Sequence, residues 1–131
     1  MSMNRKRPKP PKIFLSASDH DRLDQMLGDV ERSGAGALLR REVDRATVVP
    51  DNRAPGNTVG LYRWVHFMDG EGREARRVQL VLPPEADIDE GRVSVLSWVG
   101  AGLLGLKEGD SIDWPDASGR ERRLTPILVE P

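Results

Sequence analysis

The stretch Arg92-Val-Ser-Val-Leu-Ser-Trp-Val-Gly-Ala-Gly-Leu-Leu-Gly-Leu-Lys-Glu-Gly-Asp-Ser-Ile-Asp-Trp114 decides how this chain is built. Val93 and Val95 alternate with other residues over 92–97, the two-residue period of a strand. Gly100-Ala-Gly-Leu-Leu-Gly-Leu106 then reads as a short helix with small residues on a close-packing side. Glu108-Gly109-Asp110 is a turn, and 111–114 is the next strand. The three glycines also spell GxGxxG. A dinucleotide site needs that motif after the first strand of a long βαβ unit, with an acid about twenty positions on. Here a tight turn follows within a few residues, so the glycines are expected to serve packing.

Working outward, Pro115-Asp-Ala-Ser-Gly119 predicts a turn and 120–129 a closing strand. Pro126 places that strand at a sheet edge or at a bulge. Upstream, the period of two starts at Thr58: Val59, Leu61, Arg63, Val65 and Phe67 face one way, Tyr62, Trp64, His66 and Met68 the other. Asp69-Gly-Glu-Gly72 predicts a hairpin turn, 73–82 a returning strand, and Pro83-Pro84 its end. The acids at 85–91, with Asp87, Asp89 and Glu90, read as a solvated turn. Five strands and one helix result, an α+β unit over 58–131 with an antiparallel sheet.

Before it the period is helical. Ser16 or Ser18 is placed to cap a helix, Ser18 with Asp21 at capping-box spacing, and Asp19, Asp21 and Asp24 load its first turns with negative charge. Leu23, Met26, Leu27 and Val30 form one stripe. Ser33-Gly34-Ala35-Gly36 breaks it, and a second helix with Leu39, Val43 and Ala46 begins near Ala37. Each helix spans ~20 Å at 1.5 Å per residue. Two helices that short need a neighbour to lean on. The expected plan is a tail over 1–12, a short antiparallel coiled coil over 13–49, a linker over 50–57 and the sheet domain over 58–131. Ile13-Phe14-Leu15 is an apolar cluster expected to dock on the body.

Composition narrows the chemistry. Of 131 residues 37% are apolar, and 20 basic side chains face 21 acidic ones. Residues 1–12 hold Arg5, Lys6, Arg7, Lys9 and Lys12 and no acid, so the remainder carries a net of −6. An acidic body behind a basic, proline-bearing leader argues against a surface that grips nucleic acid everywhere. It leaves the tail as a candidate weak contact to DNA or RNA phosphates. The absence of cysteine excludes disulfides, thiolate metal sites and cysteine nucleophiles. No apolar run approaches the roughly 20 residues of a membrane span, and no signal-peptide pattern opens the chain. A cytoplasmic protein is expected.

Catalytic and metal chemistry find little support. His20 lies in an acid-rich first helical turn and His66 alternates within a strand, and nothing near either supplies metal-ligand spacing, so neither is expected in a metal site. Asp29 and Glu31 at the hairpin tip are two apart and followed by Arg32, whereas magnesium chelation from one helix face wants three or four. Arg73, Arg76, Arg77 and Arg120, Arg122, Arg123 form either a basic strip or a solvated strand face. No metal or cofactor is expected.

The run 92–114 resembles the C-terminal domain of the bacterial transcription elongation factors GreA and GreB, and most of all their short Rnk-type relatives. Val49-Pro50-Asp51, Leu82-Pro83, Ser18-x-x-x-Arg22-Leu23 and Glu42-Val43-Asp44-Arg45-Ala46 fit the same pattern, which covers 13–129. Two positions depart from it. Trp98 stands where proline is usual, and Gly102 replaces a common alanine, which is expected to loosen the helix by up to about 1 kcal/mol.

The resemblance implies an FKBP-like sheet domain after an antiparallel coiled coil, and binding to RNA polymerase at the rim of its secondary channel. By position in the motif, Ser97, Trp98, Val99 and Gly100 would make that contact. The acid pair with which Gre factors hold magnesium and stimulate transcript cleavage does not carry over to Asp29, Glu31 and Arg32. The resemblance therefore implies a regulator that is not an enzyme, competing with Gre factors without promoting cleavage. A peptidyl-prolyl isomerase, suggested by the fold alone, and a nucleic-acid-binding module using the tail are the alternatives.

Overall fold

The computed structural model describes residues 9–28, 34–70 and 74–131. The chain opens on a three-residue strand, β1 (Phe14–Ser16), followed by the helices α1 (Ala17–Gly28) and α2 (Ala35–Arg45) and a second short strand, β2 (Thr47–Val49). β1 and β2 pair in parallel, Leu15 opposite Val48, so the two helices form the crossover between them. Parallel pairing demands such a crossover, and the helical hairpin supplies it. Neither strand is legible at three residues each. Ser16 Oγ accepts the Asp19 N–H at 3.2 Å and so caps α1. Ser18 lies inside the helix and makes no capping box.

The second unit is one five-stranded sheet in the order β5-β4-β3-β7-β6, from β3 (Trp64–Asp69), β4 (Arg76–Val81), β5 (Arg92–Ser94), β6 (Ile112–Pro115) and β7 (Glu121–Val129), with α3 (Trp98–Leu103) between β5 and β6. The sheet is mixed rather than antiparallel, because β5 runs parallel to β4. The Pro83-Pro84 stop turns the chain back along β4, and the overlap from Gln79–Arg92 to Val81–Ser94 is short enough for this compact return. β7 is a central strand, and Pro126 sits at a bulge: Phe67 pairs with Pro126 and His66 with Leu128, leaving Ile127 extra.

The strand expected from Thr58 begins only at Trp64. Tyr62 adopts φ 65°, a left-handed conformation uncommon outside glycine. Its N–H donates to Leu80 O and its carbonyl accepts Gln79 Nε2, both at 2.8 Å, which hold the kink in place. The burial expected of the alternation survives it: Val59, Leu61, Val65 and Phe67 are all buried.

One core joins the two units. Leu23, Leu27, Leu39 and Val43 of the hairpin share a cluster with Ile13, Leu15, Phe67, Leu80, Leu103 and Leu124. That is the neighbour the short helices require. Polar ties reinforce the joint. Asp19 Oδ2 accepts the Leu61 N–H at 3.0 Å, and Asp51 accepts both the backbone N–H and the hydroxyl of Ser18.

Candidate partner-docking site

The residues at 97–100 are placed by a hydrogen-bonded turn. Ser97 Oγ donates to Ser94 O at 2.6 Å and accepts the Gly100 N–H at 3.0 Å, capping α3, while Ser94 Oγ accepts the Leu96 N–H. Gly100 has no room for a side chain, since a Cβ there would lie 2.2 Å from Ser94 O. Val99 is 7% exposed and belongs to the core. Of the four predicted contacts, Ser97 and Trp98 reach the surface, and Val99 and Gly100 hold them there.

Trp98 is half-buried, its ring against the core and the Arg122 guanidinium 5.9 Å from its centroid. Arg122 reaches two carboxylates, Asp69 Oδ1 at 3.0 Å and Asp116 Oδ2 at 3.5 Å. The Asp69 oxygen is buried, and its approach to Arg122 is an ion pair without hydrogen-bond alignment. Arg76 adds a second cation 3.8 Å from Asp69. Hydrogen bonds, first from the Ser118 hydroxyl and then from the Ser118 and Arg120 backbone, hold the Asp116 carboxyl below the usual carboxylate range.

Of the other arginines read as a strip, Arg73 lies outside the described residues, and Arg77 and Arg123 are each paired with a carboxylate. Arg77 binds Glu130 and stacks 4.0 Å from the Trp64 ring, and Arg123 binds Asp113. The same Glu130 carboxylate takes His66 Nε2 at 2.7 Å. The hydrogen bonds of Arg77, then of His66, pull the Glu130 pKa down to about 2. His20 Nδ1 lies 4.0 Å from Asp21 Oδ1. Among the described residues no three His, Asp or Glu side chains converge as a metal site.

Grooves among the described residues include the following pair. One of about 690 Å³ lies between α2, β6 and residues 9–11, with Trp114 its one aromatic; one of about 370 Å³ contains Phe14. Neither gathers the several aromatic rings a proline-binding cradle needs.

The hairpin-tip residues Asp29, Glu31 and Arg32, and the tail residues Arg5, Lys6 and Arg7, lie outside the described residues. Lys9 and Lys12 are exposed. Arg45 Nη1 donates to Pro11 O at 2.7 Å, so the chain is anchored from Pro11 onward. That anchor has no signal in the tail itself; it follows from Arg45 being fixed by buried Glu42.

No helix among the described residues is long and apolar enough to cross a membrane. Residues 54–131 match the family model for the transcription elongation factor GreA/GreB C-terminal domain, and residues 11–49 the one for the Rnk N-terminus. The chain is 31% identical over 122 residues to the regulator of nucleoside diphosphate kinase of Escherichia coli K12, covering 92% of this chain and 90% of that protein. It is 39% identical over 75 residues to transcription elongation factor GreA of Rhodospirillum rubrum, covering 57% of this chain and 48% of that protein. A solved GreA/GreB-type elongation factor from Nitrosomonas europaea superposes with a TM-score of 0.74 at 32% identity, over 92% of this chain and 99% of that one. With a Rnk-type hairpin packed on a Gre-type sheet unit, this chain belongs to the GreA/GreB family of transcription elongation factors, in its Rnk branch.

Proposed function

We propose that this chain binds RNA polymerase at the entrance of the secondary channel, through the turn that carries Ser97 and Trp98. In this reading it competes there with Gre factors and leaves transcript cleavage unstimulated. The observation that supports the docking surface is the rigid presentation of Trp98. Its helix is capped by Ser97, its base is filled by Gly100 and Val99, and a half-buried tryptophan is a typical interface anchor.

Support for the cleavage-silent part is the size of the hairpin. α1 has 12 residues and α2 has 11, so the described arms extend only ~18 Å. Such an arm acts as a plug at the entrance rather than a carrier of a catalytic ion.

The test is binding of the full chain to core RNA polymerase with a Gre factor as competitor, alongside a cleavage assay on backtracked complexes. Competitive binding with no added cleavage is expected. Trp98→Ala should weaken binding about tenfold or more, the cost of losing an interface anchor, in a chain that stays folded at the assay temperature although its melting temperature falls with the lost core packing. Unaltered affinity in that variant removes the docking surface, and stimulated cleavage removes the plug.

A further inference from the structure

We propose that Arg122 is the positioning residue that fixes how Trp98 is presented to the partner, an inference that rests on the polymerase reading above. Trp98 is the first residue of a six-residue helix. The Ser97 cap fixes its backbone, but the direction of the indole is set by what touches the ring. The ring packs on the core, and the Arg122 guanidinium lies over it, 5.9 Å from the centroid.

Arg122 is itself tied at both ends. Nη2 meets Asp69, at the end of β3, and Nη1 meets Asp116, in the turn between β6 and β7. Both carboxylates are largely covered, at 13% and 12% exposure, whereas Arg122 is 40% exposed. Asp116 is held in turn by Ser118 and by the Arg120 N–H. A planar fork bridging two anchored anions has little freedom left, and it passes that restraint to the ring beneath it. An anchor already held in its bound direction loses less entropy on docking. Lysine cannot take this role: a point-like ammonium reaches one acid or the ring, not both acids and the ring.

The test uses a Trp64→Phe parent, so that surface fluorescence reports Trp98 while Trp114, 4% exposed, stays shielded. Arg122→Met should steepen acrylamide quenching of Trp98 and weaken polymerase binding about three- to tenfold, the range of a partly exposed cation–π contact. Arg122→Lys should restore neither. In a Trp98→Ala background Arg122→Met should add no further loss of affinity, because the two residues act as one unit.

Quenching in Arg122→Met that equals the parent's overturns the inference, whatever polymerase binding does. Full restoration by lysine also overturns it, since charge alone would then suffice. A parent that fails to bind polymerase overturns the docking reading and the partner named here, while the quenching slope still decides whether Arg122 holds Trp98.

Discussion

Gly102 and Trp114 are fitted to each other. A Cβ on Gly102 would lie 2.9 Å from Cγ and Cδ1 of Trp114, and 2.6 Å from Leu124 Cδ1. The glycine therefore does not simply loosen α3, as its helix propensity implies. It lets the indole of β6 close against the helix, and Trp114 is buried as a result. The other two glycines of the run have the same kind of task. Gly100 sits on Ser94 O. A Cβ on Gly105, at φ +77°, would lie 2.8 Å from Ile13 Cβ, and the Gly105 carbonyl accepts the Phe14 N–H at 3.0 Å.

Gly102→Ala should accordingly destabilise the protein by ~1–3 kcal/mol, the cost of overpacking, despite a propensity gain of about 1 kcal/mol. In a Trp114→Leu background Gly102→Ala should cost less than it does in the wild type, because the smaller side chain leaves more room for the methyl. Urea denaturation of the single and double variants measures this. A more stable Gly102→Ala would mean that α3 and β6 do not meet as described.

Glu42 is a buried carboxylate, and Arg45 covers it with two hydrogen bonds at 2.7 and 2.8 Å. Arg45→Met leaves that charge unpaired and releases Pro11 O as well. A loss of ~3 kcal/mol is expected, typical of a buried pair broken on one side. Arg45→Met combined with Glu42→Leu should regain most of it, since the desolvated charge is then gone. Thermal unfolding of both variants separates these outcomes.

The Glu130 carboxylate, drawn down to about 2 from its usual 4.5 by Arg77 and His66, binds its proton less readily in the folded chain than in the unfolded one. Its stabilisation is present above pH 4.5 and is lost as pH falls towards 2. Glu130→Gln removes that dependence. The stability difference between wild type and variant, followed by urea titrations at successive pH values, should shrink steadily across that window. A difference that stays constant sinks this account of the cluster.

Asp19 has the opposite sign. Burial raises its pKa above 3.8, against the Leu61 N–H and Arg22, which lower it. The folded chain then holds this proton more tightly than the unfolded chain, so its ionisation costs stability as pH rises through the interval just above 3.8. Asp19→Asn keeps an oxygen for the Leu61 N–H without that ionisation. The variant should gain on wild type as pH increases through the interval, read by denaturant midpoints. A gap that does not move with pH would place the carboxylate in water rather than in the joint.

The sequence by itself determined the alternation that buries Val65, Phe67, Val78 and Leu80, the hairpin stripe of Leu23, Leu27, Leu39 and Val43, and the turns at Gly70 and Gly119. Periodicity and turn chemistry are local, and they suffice for which residues enter the core. The run 92–114 also carried the family resemblance, because a strand, a capped helix and a turn stand there at fixed spacing. Tertiary structure alone decided the rest. β1 and β2 exist only because each completes the other across the helical crossover, and β5 runs parallel because of how the chain returns along β4. Nothing in the spacing of Ser18 and Asp51, Asp19 and Leu61, or Arg122 and Trp98 brings them together; each pair meets because the shared core docks the hairpin and closes the sheet. Such contacts join residues far apart in the chain, and only the folded backbone sets the distances on which their chemistry depends.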